Sequence, residues 1–203
     1  MSEIKSALEL ALERTADIQS DRTKLHEHEA LQKGKRLASK FLHPEPDSEE
    51  ESVDLRDELK KVNKEDMKLV RQGIFDVILS NITLPHDEVR EDLIDRAARG
   101  VQILLNTKKQ VEYIFQQLKE FYIQYLRNKD QIRKNLEQQF APRLQQKEEA
   151  LREKFGSSIE LDPADDPEFA EYLKQNYAEL DKQYQEALNQ MKEQLKQIYA
   201  SRQ

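Results

Sequence analysis

The sequence has no cysteine, no tryptophan and only four glycines among its 203 residues. Without cysteine there is no disulfide framework, no thiolate zinc site and no thiol nucleophile, which excludes redox and zinc-finger roles. A glycine content far below the usual ~7% leaves few of the positive-φ turns that sheets and phosphate-cradling loops need. Long apolar runs are missing too: the most apolar short window, residues 74–79, is interrupted by Asp76. The opening Met1-Ser2-Glu3-Ile4-Lys5 lacks the apolar core of a signal peptide. These absences point to an all-α chain with the cytoplasm as its default location.

Charge is abundant, at 36% of residues, with a net value of -7. The acidity is local. Residues 1–43 carry eight Lys/Arg against seven Asp/Glu, residues 44–59 one against eight, and residues 60–203 twenty-four against twenty-five. One short stretch therefore accounts for the imbalance, and no basic face of the kind that binds nucleic acid is present. That stretch holds Pro44 and Pro46 among mutually repelling carboxylates and no apolar residue over 43–52, the composition of an extended linker. It divides the chain into an N-terminal amphipathic segment (1–42), an acidic linker (43–53) and a helical body (54–203).

In the N-terminal segment, Ile4, Leu8, Ala11 and Leu12 fall on one side of a helix that Ser2 is placed to cap. Leu31, Leu37, Ala38, Phe41 and Leu42 form a second, more basic amphipathic pattern. Two such short helices offer too little apolar surface for a core of their own.

In the body, Asn63 to Asp66 reads as a helix cap, followed by Met67, Val70, Ile74, Val77 and Ile78 at spacings of three and four. Thr83-Leu84-Pro85 marks a turn, with Pro85 suited to a first helical position and Asp87 and Glu88 to the first turn. From Val89 to Phe140 apolar residues keep a three-or-four spacing interrupted only by Lys108 and Lys129, with one glycine, Gly100. Residues 86–141 would make a rod of about 84 Å. Pro142 is expected to bend or break it, with the stripe continuing through Leu144, Leu151 and Phe155 to a C-cap at Gly156. After a loop, Asp166-Pro167-Glu168 reads as N-cap, first position and dipole-complementing acid. The last helix carries Phe169, Leu173, Tyr177, Leu180, Tyr184, Leu188, Met191, Leu195 and Ile198. The fold expected is an elongated antiparallel coiled-coil-like hairpin with a long central helix, plus tethered N-terminal amphipathic helices.

The chemistry-bearing motifs are weak. His26-Glu27-His28-Glu29 cannot chelate from a helix, because side chains two apart point about 200° from each other. Asp87, Glu88, Glu91, Asp92 and Asp95 lie within reach of Arg90, Arg96 and Arg99 and suit a helix start. Asp162-Pro163-Ala164-Asp165-Asp166 lacks the ladder and closing glutamate of a calcium loop. No phosphate-binding glycine motif and no nucleophile elbow occurs. No enzymatic role, cofactor or metal is expected.

The run from Glu3 to Thr15, followed by Gln32-Lys33-Gly34-Lys35-Arg36-Leu37-Ala38 and an acidic gap, resembles a family of uncharacterised bacterial proteins. The later Phe169, Leu180-Asp181 and Tyr184 are similar to it as well. The resemblance implies a bacterial cytoplasmic protein and brings no function with it.

The residues themselves point to a non-enzymatic helical scaffold or adaptor. Its contacts are expected at Ile4, Leu8 and Leu12, spaced as groove-filling anchors. A second set is Phe115, Leu118 and Tyr122, where apolar groups occupy more than one helix face and mark triple packing or an oligomer contact. The partner expected is another protein, or a second copy of the chain, and not nucleic acid. The alternative is a peripheral membrane-surface protein using residues 1–42 as an anchor, with Lys33, Lys35, Arg36 and Lys40 beside Leu37, Phe41 and Leu42.

Overall fold

The computed structural model describes residues 7–44, 54–156 and 161–202, with the side chains of the first helix described from Arg22 onward. Among the described residues there are six α-helices and no strand. They are α1 (Ala7–Leu42), α2 (Leu55–Lys60), α3 (Met67–Asn81), α4 (Glu91–Leu105), α5 (Lys109–Phe155) and α6 (Pro167–Ala200), with a 3-10 turn at Pro163–Asp165. The fold is all-α. The chain divides into two compact units: one takes the chain up to Ile82, Asp92–Glu112 and Tyr199–Gln203, the other Thr83–Glu91 and Tyr113–Ile198.

The first unit is built on the crossing of α1 and α3. Ala30, Gly34, Ala38 and Leu42 recur every four residues on α1 and are all buried. On α3 the buried set is Val70, Gly73, Ile74, Phe75, Ile78 and Leu79. At the crossing the backbones touch: a Cβ on Gly34 would lie 2.1 Å from the Val70 carbonyl oxygen, and one on Gly73 2.3 Å from that of Leu31. Glycine is the residue that permits such an approach.

Two arginines then donate to carbonyls in the last turns of helices, where intrahelical donors run out. Arg96 on α4 donates from Nη1 to the Leu42 carbonyl at 2.7 Å while its Nη2 holds Asp92 at 2.8 Å. Arg71 on α3 donates to the carbonyl of Leu104. Phe75 stacks on Tyr199 with centroids 4.0 Å apart. His26 on α1 pairs with Asp66 at 2.8 Å, and Asp66 makes no side-chain cap to α3.

Several expectations are corrected here. The N-terminal segment carries one helix, α1, in place of two short ones; Ile4 and the Ser2 cap lie outside the described residues, as does the acidic stretch 45–53. The compact units do not divide at that stretch, because the apolar face of α1 from Ala30 onward packs on α3 within one unit. α2 is additional: Asp54 accepts the Arg56 N–H at 2.8 Å, and Leu55 is fully buried. Helix resumes at Glu91, six residues beyond Pro85.

The long rod is also broken, at Asn106, whose φ of 49° is left-handed. Gly100 instead sits within α4, where a Cβ would meet Ile78 Cδ1 at 2.7 Å and Phe41 Cε1 at 3.3 Å. Pro142 does not end α5, which runs 47 residues through it, about 70 Å along its axis.

In the second unit, α5 and α6 lie side by side. Partners rise along α5 as they fall along α6, from Tyr125 with Asp181, through Phe140 with Phe169, to Lys147 with Asp166. The two helices are therefore antiparallel over this length. Gly156, with φ of 71°, closes α5, and its N–H donates to the Arg152 carbonyl at 2.8 Å. Asp166 caps α6 by accepting the N–H groups of Glu168 at 2.9 Å and Phe169 at 3.3 Å. Both caps are where the sequence places them.

Candidate functional site

The seam between α5 and α6 is rich in tyrosine, and each hydroxyl on it has a distinct environment. Tyr125 donates to Asp181 Oδ1 at 2.6 Å, and Asn128 Nδ2 donates to the Tyr184 hydroxyl at 2.8 Å. The ring of Tyr184 lies 4.9 Å from Phe121 and 5.1 Å from Tyr125. Lys129, one of the two polar interruptions of the apolar stripe, has its ammonium 5.0 Å from the Tyr177 ring and 5.6 Å from the Tyr125 ring. It also donates to the His86 carbonyl at 3.1 Å. A cation over two aromatic faces is a favourable arrangement, which explains why a lysine sits on an otherwise apolar stripe.

Burial raises the phenol pKa of Tyr125 and of Tyr122 above the usual tyrosine range, and in Tyr125 the bond to Asp181 adds to the effect. Both stay neutral at physiological pH. Tyr122 Oη is buried and, among the described residues, has no hydrogen-bond partner.

Beyond the seam lies an apolar cluster of Leu136, Phe140, Leu144 and Phe169, with Ile132, Leu161 and Leu173 packed around it. Lys147 pairs with Asp166 and Arg143 with Glu168. The lysine, reinforced by the two backbone N–H groups, holds the Asp166 carboxyl below the usual carboxylate range. Asp162 accepts the Ala164 N–H at 2.8 Å, and Glu148 accepts the Leu161 N–H at 2.8 Å. These carboxylates act as caps and ion-pair partners.

Two open grooves flank this region. One, of about 440 Å³, is lined by Leu144, Lys147, Leu151, Leu161, Asp162 and Asp166 among others. The second, of about 510 Å³, runs along α6 past Phe169, Ala170, Leu173, Lys174, Tyr177, Ala178 and Asp181, with Arg133 contributed by α5.

The residues singled out from the sequence fall in different places. Phe115, Leu118 and Tyr122 are 3%, 2% and 4% exposed, so they lie in the core. Ile4 lies outside the described residues, and for Leu8 and Leu12 only the helical backbone of α1 is described. The apolar side of the basic stretch is also occupied: Ala38 and Leu42 are fully buried, and Phe41 lies against Gly100. His26 binds Asp66, and among the described residues no group of three or more His, Asp or Glu is placed to hold a metal ion. Among those residues no helix is long and apolar enough to cross a membrane.

Sequence reading missed Leu25, a large apolar side chain 59% exposed on α1. Its signal is the seven-residue recurrence of Ala11, Ile18 and Leu25. It also missed the Asp181 and Asn128 partners of the tyrosines, which depend on the register of α5 against α6.

A model of a family of unknown function, DUF6657, matches residues 56–197, well over half of the chain. The chain belongs to DUF6657. The DUF6657 match takes in Phe169, Leu180, Asp181 and Tyr184, the later residues of the resemblance noted above, and leaves α1 outside it. No curated protein and no solved structure matches the chain.

Proposed function

We propose that the protein is a non-enzymatic, cytoplasmic helical scaffold or adaptor that binds another protein through the N-terminal part of α1, with the α5–α6 pair as a coiled-coil body. One observation carries this reading. Residues 22–29 are helical and each is solvent-exposed, with His26 paired to Asp66, while the same helix from Ala30 onward is packed against α3. A helical segment that buries no side chain is marginal in water until it finds a mate, and Leu25 is a large apolar group 59% exposed on it. Upstream, Ile4, Leu8 and Leu12 have the spacing of anchors that fill a groove. Phe115, Leu118 and Tyr122 belong to the core of this scaffold and not to its contact surface.

The test compares proximity labelling by the full chain with that by a variant carrying Ile4→Glu, Leu8→Glu and Leu12→Glu. Circular dichroism first establishes that the helical body is retained. The expected result is loss of the principal labelled protein from the variant. Retention of every labelled protein would mean that α1 is only a structural element.

A further inference from the structure

The groove of about 510 Å³ along α6 is lined by Phe169, Ala170, Leu173 and Tyr177 and by groups of opposite charge, Lys174 and Asp181. Lys174 and Asp181 are both exposed on α6 and lie seven residues apart, about 10.5 Å along the axis and two turns apart on one face. Midway between them are Tyr177, half-buried, and Ala178, exposed. Lys174 has no ion-pair partner among the described residues. Asp181 uses Oδ1 to accept from Tyr125, leaving its second oxygen for another donor. At the cationic end Arg133 is held by Glu137 at 2.8 Å, so Lys174 is the charge left to be matched.

A patch with positive charge at one end, negative at the other and a small residue at its midpoint is complementary to itself after a half-turn. An interface between identical chains related by a two-fold axis has this property: residue i meets residue j, and j meets i. We propose that this groove seats α6 of a second copy of the chain, antiparallel, about a two-fold axis between Tyr177 and Ala178. Lys174 of each copy then faces Asp181 of the other, and the Tyr177 ring of each lies over the space left by Ala178 of the other. A parallel arrangement would instead set lysine against lysine.

Sedimentation equilibrium over a concentration series tests it. The full chain is expected to show a reversible dimer that weakens with added salt, as an interface centred on exposed ion pairs does. Lys174→Glu, at an exposed position, should leave the far-ultraviolet spectrum unchanged and weaken the dimer about tenfold or more, since the pair occurs twice. The charge swap Lys174→Glu with Asp181→Lys should restore it, because the two sites pair across copies and are too far apart to pair within one. Ala178→Trp should leave a monomer. A chain that is monomeric at every concentration would overturn the proposal. So would a dimer indifferent to Lys174→Glu and Ala178→Trp, or a well-folded double swap that stays dissociated.

Discussion

An added carbon at Gly34 would lie 2.1 Å from the Val70 carbonyl oxygen, a backbone atom that moves only if α3 moves with it. Gly34→Ala would gain about 1 kcal/mol of helix propensity in isolation, but separating two packed helices costs about 1–3 kcal/mol, with the packing below Ala30 and Ala38 loosened as well. The net expectation is destabilisation, read as a lower midpoint in urea with an unchanged slope; an equal or higher midpoint would show that α1 is not in backbone contact with α3. The glycines are scarce in the sequence, yet scarcity does not say which of them faces another helix: Gly34 and Gly73 face backbone, and Gly100 faces the side chains of Ile78 and Phe41. A second prediction concerns Asp166. Its folded-state pKa is depressed, first by Lys147, so its contribution is present above the usual carboxylate range and is lost as pH falls through the folded value. Asp166→Asn keeps an acceptor for the α6 cap but not the charge pair. Urea melts at neutral and acid pH should therefore show a smaller acid loss for the variant than for the parent chain, and equal losses would contradict the pairing. The capping role of Asp166 was legible because Asp-Pro-Glu is a local signal, whereas its partner Lys147, nineteen residues away, was not.

At the scale of elements, the continuous apolar stripe from Val89 to Phe140 hides the break between α4 and α5. Neither glycine nor proline marks it. The chain turns at Asn106 in a left-handed conformation that asparagine tolerates better than most residues, and Arg71 closes α4 from α3. Both are properties of the assembled unit, so hydrophobic spacing alone joins the two helices. Asn106→Gly is expected to preserve or raise stability by up to about 1 kcal/mol, and Asn106→Val to lower it by more than that; the reverse order in thermal melts would show that the break is not held at this residue. Pro142 errs in the other direction. Its missing N–H leaves the Gln138 carbonyl without its intrahelical donor, yet both flanks of α5 are anchored, by Leu136 and Phe140 on one side and Leu144 on the other. Packing overrides a local penalty of about 3 kcal/mol. Pro142→Ala should accordingly raise the melting temperature, and a fall would imply that the helix depends on the proline for its path.

At the scale of the whole molecule, the all-α class was readable from low glycine and helical spacing, and the start of α6 from its cap. How the units are composed was not, because α1 joins α3 across a stretch of charge that reads as a boundary, and the chain returns to the first unit after Ile198. The candidate contacts divided for a similar reason. Spacing identifies apolar positions such as Phe115 and Leu25 equally well, but only the fold says that the first is covered and the second bare. The central claim is that α1 changes character at Ala30, from an exposed helix to part of a core. Hydrogen exchange followed by mass spectrometry on the isolated chain tests this most directly. The account predicts that amides of residues 30–42 are protected to the same degree as those of α3, and that residues 22–29 exchange orders of magnitude faster. Uniform slow exchange from residue 22 to residue 42, or uniform fast exchange across the same span, would contradict it.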